Sequence, residues 1–144
     1  MYKHERSQPE ERVRQCLLKA MVEELGYPKE QISIEKSLSQ MPHLHLSNVK
    51  LPNRRADIVC FSKNIHQDYP LWPLLVIECK AHQFSEEVKQ QVKGYNYFLK
   101  AFFIAIANER EIETGWYDSS LQDYHFIKGL PTYDSLVQAI VPIP

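Results

Sequence analysis

The 144-residue sequence is short of the features that mark several common classes of protein. It has three cysteines, Cys16, Cys60 and Cys79, without CxxC spacing, which argues for reduced intracellular cysteines and against a disulfide framework. The formal net charge of −1 argues against a polycation that binds phosphate by bulk charge. No early apolar stretch resembles a signal peptide, and no apolar run has the length of a membrane span. We therefore expect a cytoplasmic protein that does not engage a membrane.

Familiar catalytic motifs are also missing. The four glycines form no phosphate-binding loop, and no serine occupies a nucleophile elbow. The six histidines show no metal-ligand spacing. What the chain has is the composition of an ordinary globular protein, with 44% hydrophobic and 24% charged residues. Its length predicts one domain over residues 1–144, large enough to bury a real core.

The pattern of apolar residues predicts an α/β fold with a mixed sheet flanked by helices. Gly26 and Pro28 suit the end of the first helix, and Ser85 suits the N-cap of the second. The predicted elements, in chain order, are a helix over 9–25, a strand over 31–35, a long connection over 37–53, a strand over 56–61, a turn segment around Asn64, Asp68, Pro70 and Pro73, a strand over 74–79, a helix from 85 to about 100, a strand over 102–107, short edge strands at 116–117 and 124–127, and a closing helix over 132–140.

Two carboxylates and a lysine stand out against the apolar strands. Asp57 interrupts one strand and Glu78 the next, while Lys80 lies two residues beyond Glu78 and so shares its face. Because buried carboxylates are costly unless they are paired or bound to metal, the two acids predict a site for Mg²⁺, with Mn²⁺ as a substitute. The backbone carbonyl of Cys79 is a further candidate ligand. Lys80 is then placed to assist an attacking water or to stabilise charge on a phosphate.

Plainer interpretations exist for each of these residues taken alone. Glu78 and Lys80 fit a solvated strand end, and Asp57 fits a turn cap or an ion pair with Arg54 or Arg55. The combination of all three in this order favours the metal site.

The helices contribute weaker candidates. Gln91 and Tyr95 are four residues apart and share a helix face, where they either line the site or serve the core and the surface. Glu10 continues the apolar stripe of the first helix, which makes it a candidate third acid, although a capping box with Ser7 explains it equally well. Arg14, one turn after Glu10, is a possible ion-pair partner for it.

Basic residues flank the predicted site. They predict a rim that faces the phosphates of a nucleic acid, although scattered cations more often belong to a solvated surface. The candidates for direct contact with nucleic acid are Arg54, Arg55, Lys89 and Lys93.

Several strings together resemble a known family. They are Pro-Glu-Glu-Arg-Val-Arg-Gln at 9–15, Leu-Gly-Tyr-Pro at 25–28, Ile-Glu-Lys at 34–36, Arg-Ala-Asp-Ile-Val at 55–59, Ile-Glu-Cys-Lys-Ala at 77–81 and Gln-x-x-x-Tyr-Asn at 91–96. In this combination the chain resembles the N-terminal nuclease domain of type I restriction enzyme R subunits, a branch of the PD-(D/E)xK nuclease superfamily.

The resemblance covers roughly residues 7–108 and leaves 109–144 as an extension. It implies an αβββαβ core and Mg²⁺-dependent cleavage of DNA. The roles that it implies are metal ligands at Asp57 and Glu78, the catalytic lysine at Lys80, a Gln-x-x-x-Tyr pair at Gln91 and Tyr95, and the helix acid at Glu10.

The chain also departs from the family. A Thr-Asn-Gly-like stretch is replaced by residues 107–110, Ala-Asn-Glu-Arg, and the sequence contains no helicase motor. It therefore reads as a stand-alone relative or as a fragment. Our first hypothesis is a Mg²⁺-dependent DNA nuclease, and the alternative is a non-catalytic or partner-dependent module that binds nucleic acid or supports assembly. Expected partners are DNA and either a second copy of the chain or a motor or specificity protein.

Overall fold

Six strands form one sheet in the order β1-β2-β3-β4-β5-β6. A computed structural model gives this fold and describes residues 8–44 and 50–140. The helices and strands are α1 Gln8–Glu23, β1 Ile32–Ser37, β2 Arg55–His66, β3 Tyr69–Cys79, α2 Glu86–Leu99, β4 Phe103–Ala107, β5 Ile112–Asp118, β6 Asp123–Lys128 and α3 Tyr133–Ile140. Short 3₁₀ turns precede β1 and follow it.

All neighbouring strands are antiparallel except β3 and β4, which run parallel. The parallel pair requires a crossover, and α2 supplies it, because antiparallel neighbours can be joined by a hairpin whereas parallel ones cannot. The mixed sheet flanked by helices is thereby confirmed, and the first six long elements follow the expected order αβββαβ.

Local sequence signals fix the helix ends. Gly26 follows α1 with a φ of 77°, a conformation that glycine adopts without strain. The Ser85 hydroxyl accepts a hydrogen bond from the Val88 N–H at 3.2 Å, which confirms it as the N-cap of α2. The proposed cap at Ser7 lies outside the described residues. No helix in the described ranges has the length and apolar character needed to cross a bilayer.

The sheet has a separate apolar core on each face. One face packs against α1 and α3 and includes Met21, Ile77 and Leu136. The other face packs against α2 and includes Val76 and Leu99. Strands β3 and β4 are covered on both sides, which explains why their sequences are almost continuously apolar.

The prediction of a turn segment around Asn64, Asp68, Pro70 and Pro73 holds only at Asp68, which lies in the two-residue turn of the β2–β3 hairpin, whereas Asn64 lies in β2 and both prolines lie in β3. Pro70 and Pro73 are tolerated because the outer part of β3 pairs with β2 alone, and pairing with β4 begins only at Leu75. Pro73 also lies next to a shift in register, opposite Phe61. Both short strands predicted near 116–117 and 124–127 exist and are longer than predicted, but β6 alone lies at the sheet edge, because β5 pairs with β4 as well as with β6.

Candidate active site

The register of the central strands brings the two predicted acids together. Ile58 lies opposite Ile77 in the antiparallel pair of β2 and β3, so the next pair in the same register is Asp57 and Glu78. Directly opposed residues of such a pair have Cβ atoms about 4.5–5.5 Å apart. The sequence motifs therefore meet at one edge of the sheet, where β3 ends and β2 begins.

Asp57 is anchored to the end of β3. Its side chain is 1% exposed, and Oδ2 accepts a hydrogen bond from the backbone N–H of Cys79 at 2.6 Å. One residue on, the N–H of Lys80 donates to the carbonyl of Ala107 at 2.8 Å, which extends the parallel pairing of β3 with β4. The backbone on both sides of Cys79 is thus held, and the Lys80 side chain is half-buried just beyond the end of β3.

Glu78 lies on the side of the sheet that faces α2. Its Oε2 atom is 3.6 Å from Nη2 of Arg54, and the Arg54 guanidinium stacks 5.3 Å from the ring centroid of Tyr95. The Glu78 side chain is 15% exposed and that of Arg54 is 41% exposed. The arginine is therefore the more exposed partner of this pair, and it also contacts the Tyr95 ring.

Of the predicted pair on α2, the tyrosine is brought to the site. The Tyr95 hydroxyl is buried and has no hydrogen-bond partner among the residues that the structure describes. Burial, and then the charge of Glu78, raise the pKa of Tyr95, so the hydroxyl stays protonated and able to donate near neutral pH. Gln91, one turn earlier, is exposed.

A second charged cluster lies under the same edge, on the α1 side. Arg14 is 7% exposed and makes two contacts to Glu11, one of them from Nε to Oε2 at 2.7 Å. It also lies 3.7 Å from Glu35, a non-glycine residue of β1 with a φ of 52°. The hydrogen bonding to Glu11 raises the pKa of Arg14, and an electrostatic interaction with Cys79 raises it further.

This α1 cluster was missed at the sequence level. The sequence suggests Glu10 as the partner of Arg14, whereas the structure pairs Arg14 with Glu11 at i,i+3 spacing, and Glu10 is half-buried in the first turn. The role of Glu35 carries no local signal, because its contact with Arg14 joins β1 to a helix residue more than 20 positions earlier in the sequence. The register places Glu35 opposite Asp57, since Ile34 faces Ile58 and Lys36 faces Ala56.

The basic residues proposed to contact nucleic acid are divided between two places. Arg54 lies over the acids, and its neighbour Arg55 is exposed at the start of β2. Lys89 and Lys93 instead lie over the β5–β6 pair, where their ammonium groups are 3.4 Å from Glu113 and 3.0 Å from Asp123. Both also lie within 6 Å of the Phe126 ring centroid, at 4.8 and 5.9 Å, so much of their contact is internal to the fold.

A polar groove opens beyond Lys80. It has a volume of about 320 Å³ and is lined by residues 81–83 and 108–110, which follow the carboxyl ends of the parallel strands. Asn108 fixes its walls, since Nδ2 donates to the carbonyl of His82 at 3.0 Å and Oδ1 accepts from the N–H groups of Arg110 and Glu111 at 2.8 and 2.9 Å. The bond to His82 therefore joins the two loops beside the site, and the other two bonds shape the loop that contains Asn108.

The available oxygen ligands suit a magnesium site in which water completes the coordination. Mg²⁺ is commonly held by one or two carboxylates and retains several waters. Asp57 and Glu78 supply two carboxylates at opposed positions, and the Cys79 carbonyl lies between Glu78 and Lys80 in the chain. Within the described ranges no three His, Cys, Asp or Glu side chains gather to hold a metal ion, and Glu10 is not gathered with the two acids in such a group.

Comparison with known proteins gives one match. The model of the family described as Type I restriction enzyme R protein N terminus (HSDR_N) matches residues 9–131. That range contains α1 except for its first residue, the whole sheet and α2. No curated protein and no solved structure matches the chain significantly.

Proposed function

The chain belongs to the family of type I restriction enzyme R protein N termini, and on that premise we propose that it is a Mg²⁺-dependent nuclease that hydrolyses DNA phosphodiester bonds. We assign its core to the PD-(D/E)xK superfamily, in keeping with the αβββαβ order of the elements. The family name also supports DNA and the other subunits of such an enzyme as partners.

One observation carries the proposal. Asp57 and Glu78 are at opposed positions on the two central strands, and Lys80 follows on the same strand. Two carboxylates this close repel each other. A dication between them would attract both, and these attractions would outweigh the repulsion. A polar set of this kind, in a strand end that is otherwise apolar, is poorly explained by packing alone.

Each residue then has a separate task. Asp57 and Glu78 hold the ion, with Mn²⁺ as a substitute, and the bound ion supplies Lewis acidity at the phosphate. Lys80 is on the same side of β3 as Glu78, where its ammonium orients the attacking water and offsets charge that develops on the phosphate. Tyr95 supports the site from beneath, through its contact with Arg54, and the exposed Gln91 and Arg55 are candidates to contact the DNA backbone.

The test is cleavage of supercoiled plasmid and of linear duplex DNA with Mg²⁺ or Mn²⁺. The wild-type chain is expected to cut only when metal is added. Lys80→Ala and Asp57→Asn are expected to abolish cutting, whereas Lys100→Ala, at the exposed far end of α2, is expected to cut at the wild-type rate. Metal-independent cutting, or full activity in Lys80→Ala, would refute the assignment.

A second candidate is a module that keeps the fold and binds nucleic acid without cutting it, or cuts only with a partner. It is favoured by the observation that the two acids are not joined by a third ligand side chain within the described ranges. Calorimetric titration of Mn²⁺ separates the two, because a binding module has no reason to hold the ion and an enzyme must hold it.

A further inference from the structure

Resting on the proposed function, we infer that Arg54 is a removable counter-ion of Glu78, which keeps the metal site weak until a DNA phosphate draws the arginine away. Metal binding and DNA binding would then strengthen each other.

The ion pair has the geometry of a temporary contact. The distance from Nη2 of Arg54 to Oε2 of Glu78 is 3.6 Å, beyond the 2.7–2.9 Å of a charge-assisted hydrogen bond. A guanidinium bound firmly to a carboxylate usually makes two parallel hydrogen bonds. Arg54 thus neutralises Glu78 by proximity without being fixed to it.

The two partners differ in their access to solvent. Glu78 is 15% exposed and Arg54 is 41% exposed, so a phosphate can reach the arginine on a side that the acid does not cover. Arginine is also the side chain best matched to phosphate. The Arg54 guanidinium carbon lies 5.3 Å from the centroid of the Tyr95 ring, and a flat ring holds the guanidinium in no single orientation.

Arg54 also lies just outside the sheet, at the residue before β2, where its side chain is free to change conformation. It precedes the first residue of β2 and follows the Pro52-containing connection, with its N–H donating to the Pro52 carbonyl at 3.0 Å. A side chain at a strand entrance is less constrained than one inside the sheet. The acid, in contrast, is within β3 and is held between two neighbouring strands.

Arg54 and a metal ion compete for the Glu78 carboxylate because both are positively charged. A monovalent guanidinium beside Glu78 repels an incoming dication and must be displaced before the carboxylate can bind it. If DNA binds Arg54, the metal no longer meets that cost, and by linkage the metal helps DNA by the same factor. Coupling factors of about 5–150 are usual for such pairs of sites.

The first test measures Mn²⁺ affinity of the DNA-free chain by calorimetry, without any cleavage. Arg54→Gln is expected to bind Mn²⁺ about tenfold more tightly than wild type. Lys63→Gln is the control, because it removes one positive charge from an exposed residue at the far end of β2 and is expected to stay within about twofold of wild type. Equal affinities in wild type and Arg54→Gln would overturn the inference while leaving the nuclease proposal intact.

The second test adds short duplex DNA to a Lys80→Ala background, so that the DNA is not consumed. DNA is expected to tighten Mn²⁺ binding about tenfold in this background, and by less than about threefold when Arg54→Gln is added. An undiminished effect of DNA in the double variant would overturn the inference. If none of the proteins binds Mn²⁺ in either test, the metal-dependent nuclease itself is refuted, and the inference falls with it.

Discussion

Asp57 has two tasks that different substitutions separate. It is a proposed metal ligand, and it is also the acceptor for the buried N–H of Cys79 at 2.6 Å. Asp57→Ala removes both the charge and the acceptor. Asp57→Asn removes the charge but leaves a side-chain oxygen able to accept from the same N–H.

The expected magnitudes follow from burial. Leaving a buried N–H without its partner costs about 1–3 kcal/mol, so we expect Asp57→Ala to lose about 2 kcal/mol of unfolding free energy relative to Asp57→Asn. Both variants relieve the repulsion between Asp57 and Glu78 alike, so their difference isolates the hydrogen bond. For a chain of this size the difference corresponds to about 5–8 °C in melting temperature.

The assay pairs urea unfolding with plasmid cleavage. Wild type and Asp57→Asn are expected to unfold within about 1 kcal/mol of each other, and neither variant is expected to cut DNA. Equal stability of Asp57→Ala and Asp57→Asn would show that the bond to Cys79 contributes nothing. Wild-type cutting by Asp57→Asn would show that the carboxylate charge is not used in catalysis.

Two further predictions concern stability. His43 donates from Nε2 to the Leu99 carbonyl at 2.7 Å, its buried Nδ1 has no partner among the described residues, and burial lowers the pKa of this histidine. The unfolded chain therefore binds more protons below about pH 6.5, so unfolding free energy should fall as pH drops from 7.5 to 5.5, and fall less in His43→Gln; parallel curves would contradict this. Gly115→Ala should destabilise by about 1–3 kcal/mol, because its Cβ would lie 2.8 Å from the Phe126 ring. Gly94→Ala, in α2 where a Cβ meets open space, should stabilise by about 0.5–1 kcal/mol, and thermal melts that failed to separate the two alanine variants would refute the packing argument.

The helices and the central strands could be predicted because their signals are local. Ser85 caps α2 as its sequence position indicates, and Gly26 ends α1. The apolar runs of β3 and β4 mark strands that are covered on both faces. Asp57 and Glu78 were found because a charged residue inside such a run is unusual, and the register then brought them together.

What escaped prediction depends on pairing that local sequence does not encode. Pro70 and Pro73 look like turn residues until it is known that the outer part of β3 has only β2 beside it. Glu35 becomes a partner of Arg14 only through a positive φ within β1. Lys89 and Lys93 look like a phosphate-facing rim, yet their nearest anions come from β5 and β6, which lie far from α2 in the sequence.

The acid pair lies on the two arms of one hairpin, with only 22 residues separating Cys79 from Asp57. Closing so short a loop costs little chain entropy, so the carboxylates meet through local pairing alone. Lys80 and Tyr95 depend on more distant parts of the chain, since one is tied to β4 and the other is carried by the crossover helix. Loosening the second half of the fold would therefore separate the lysine and the tyrosine from the site while the two acids stayed side by side.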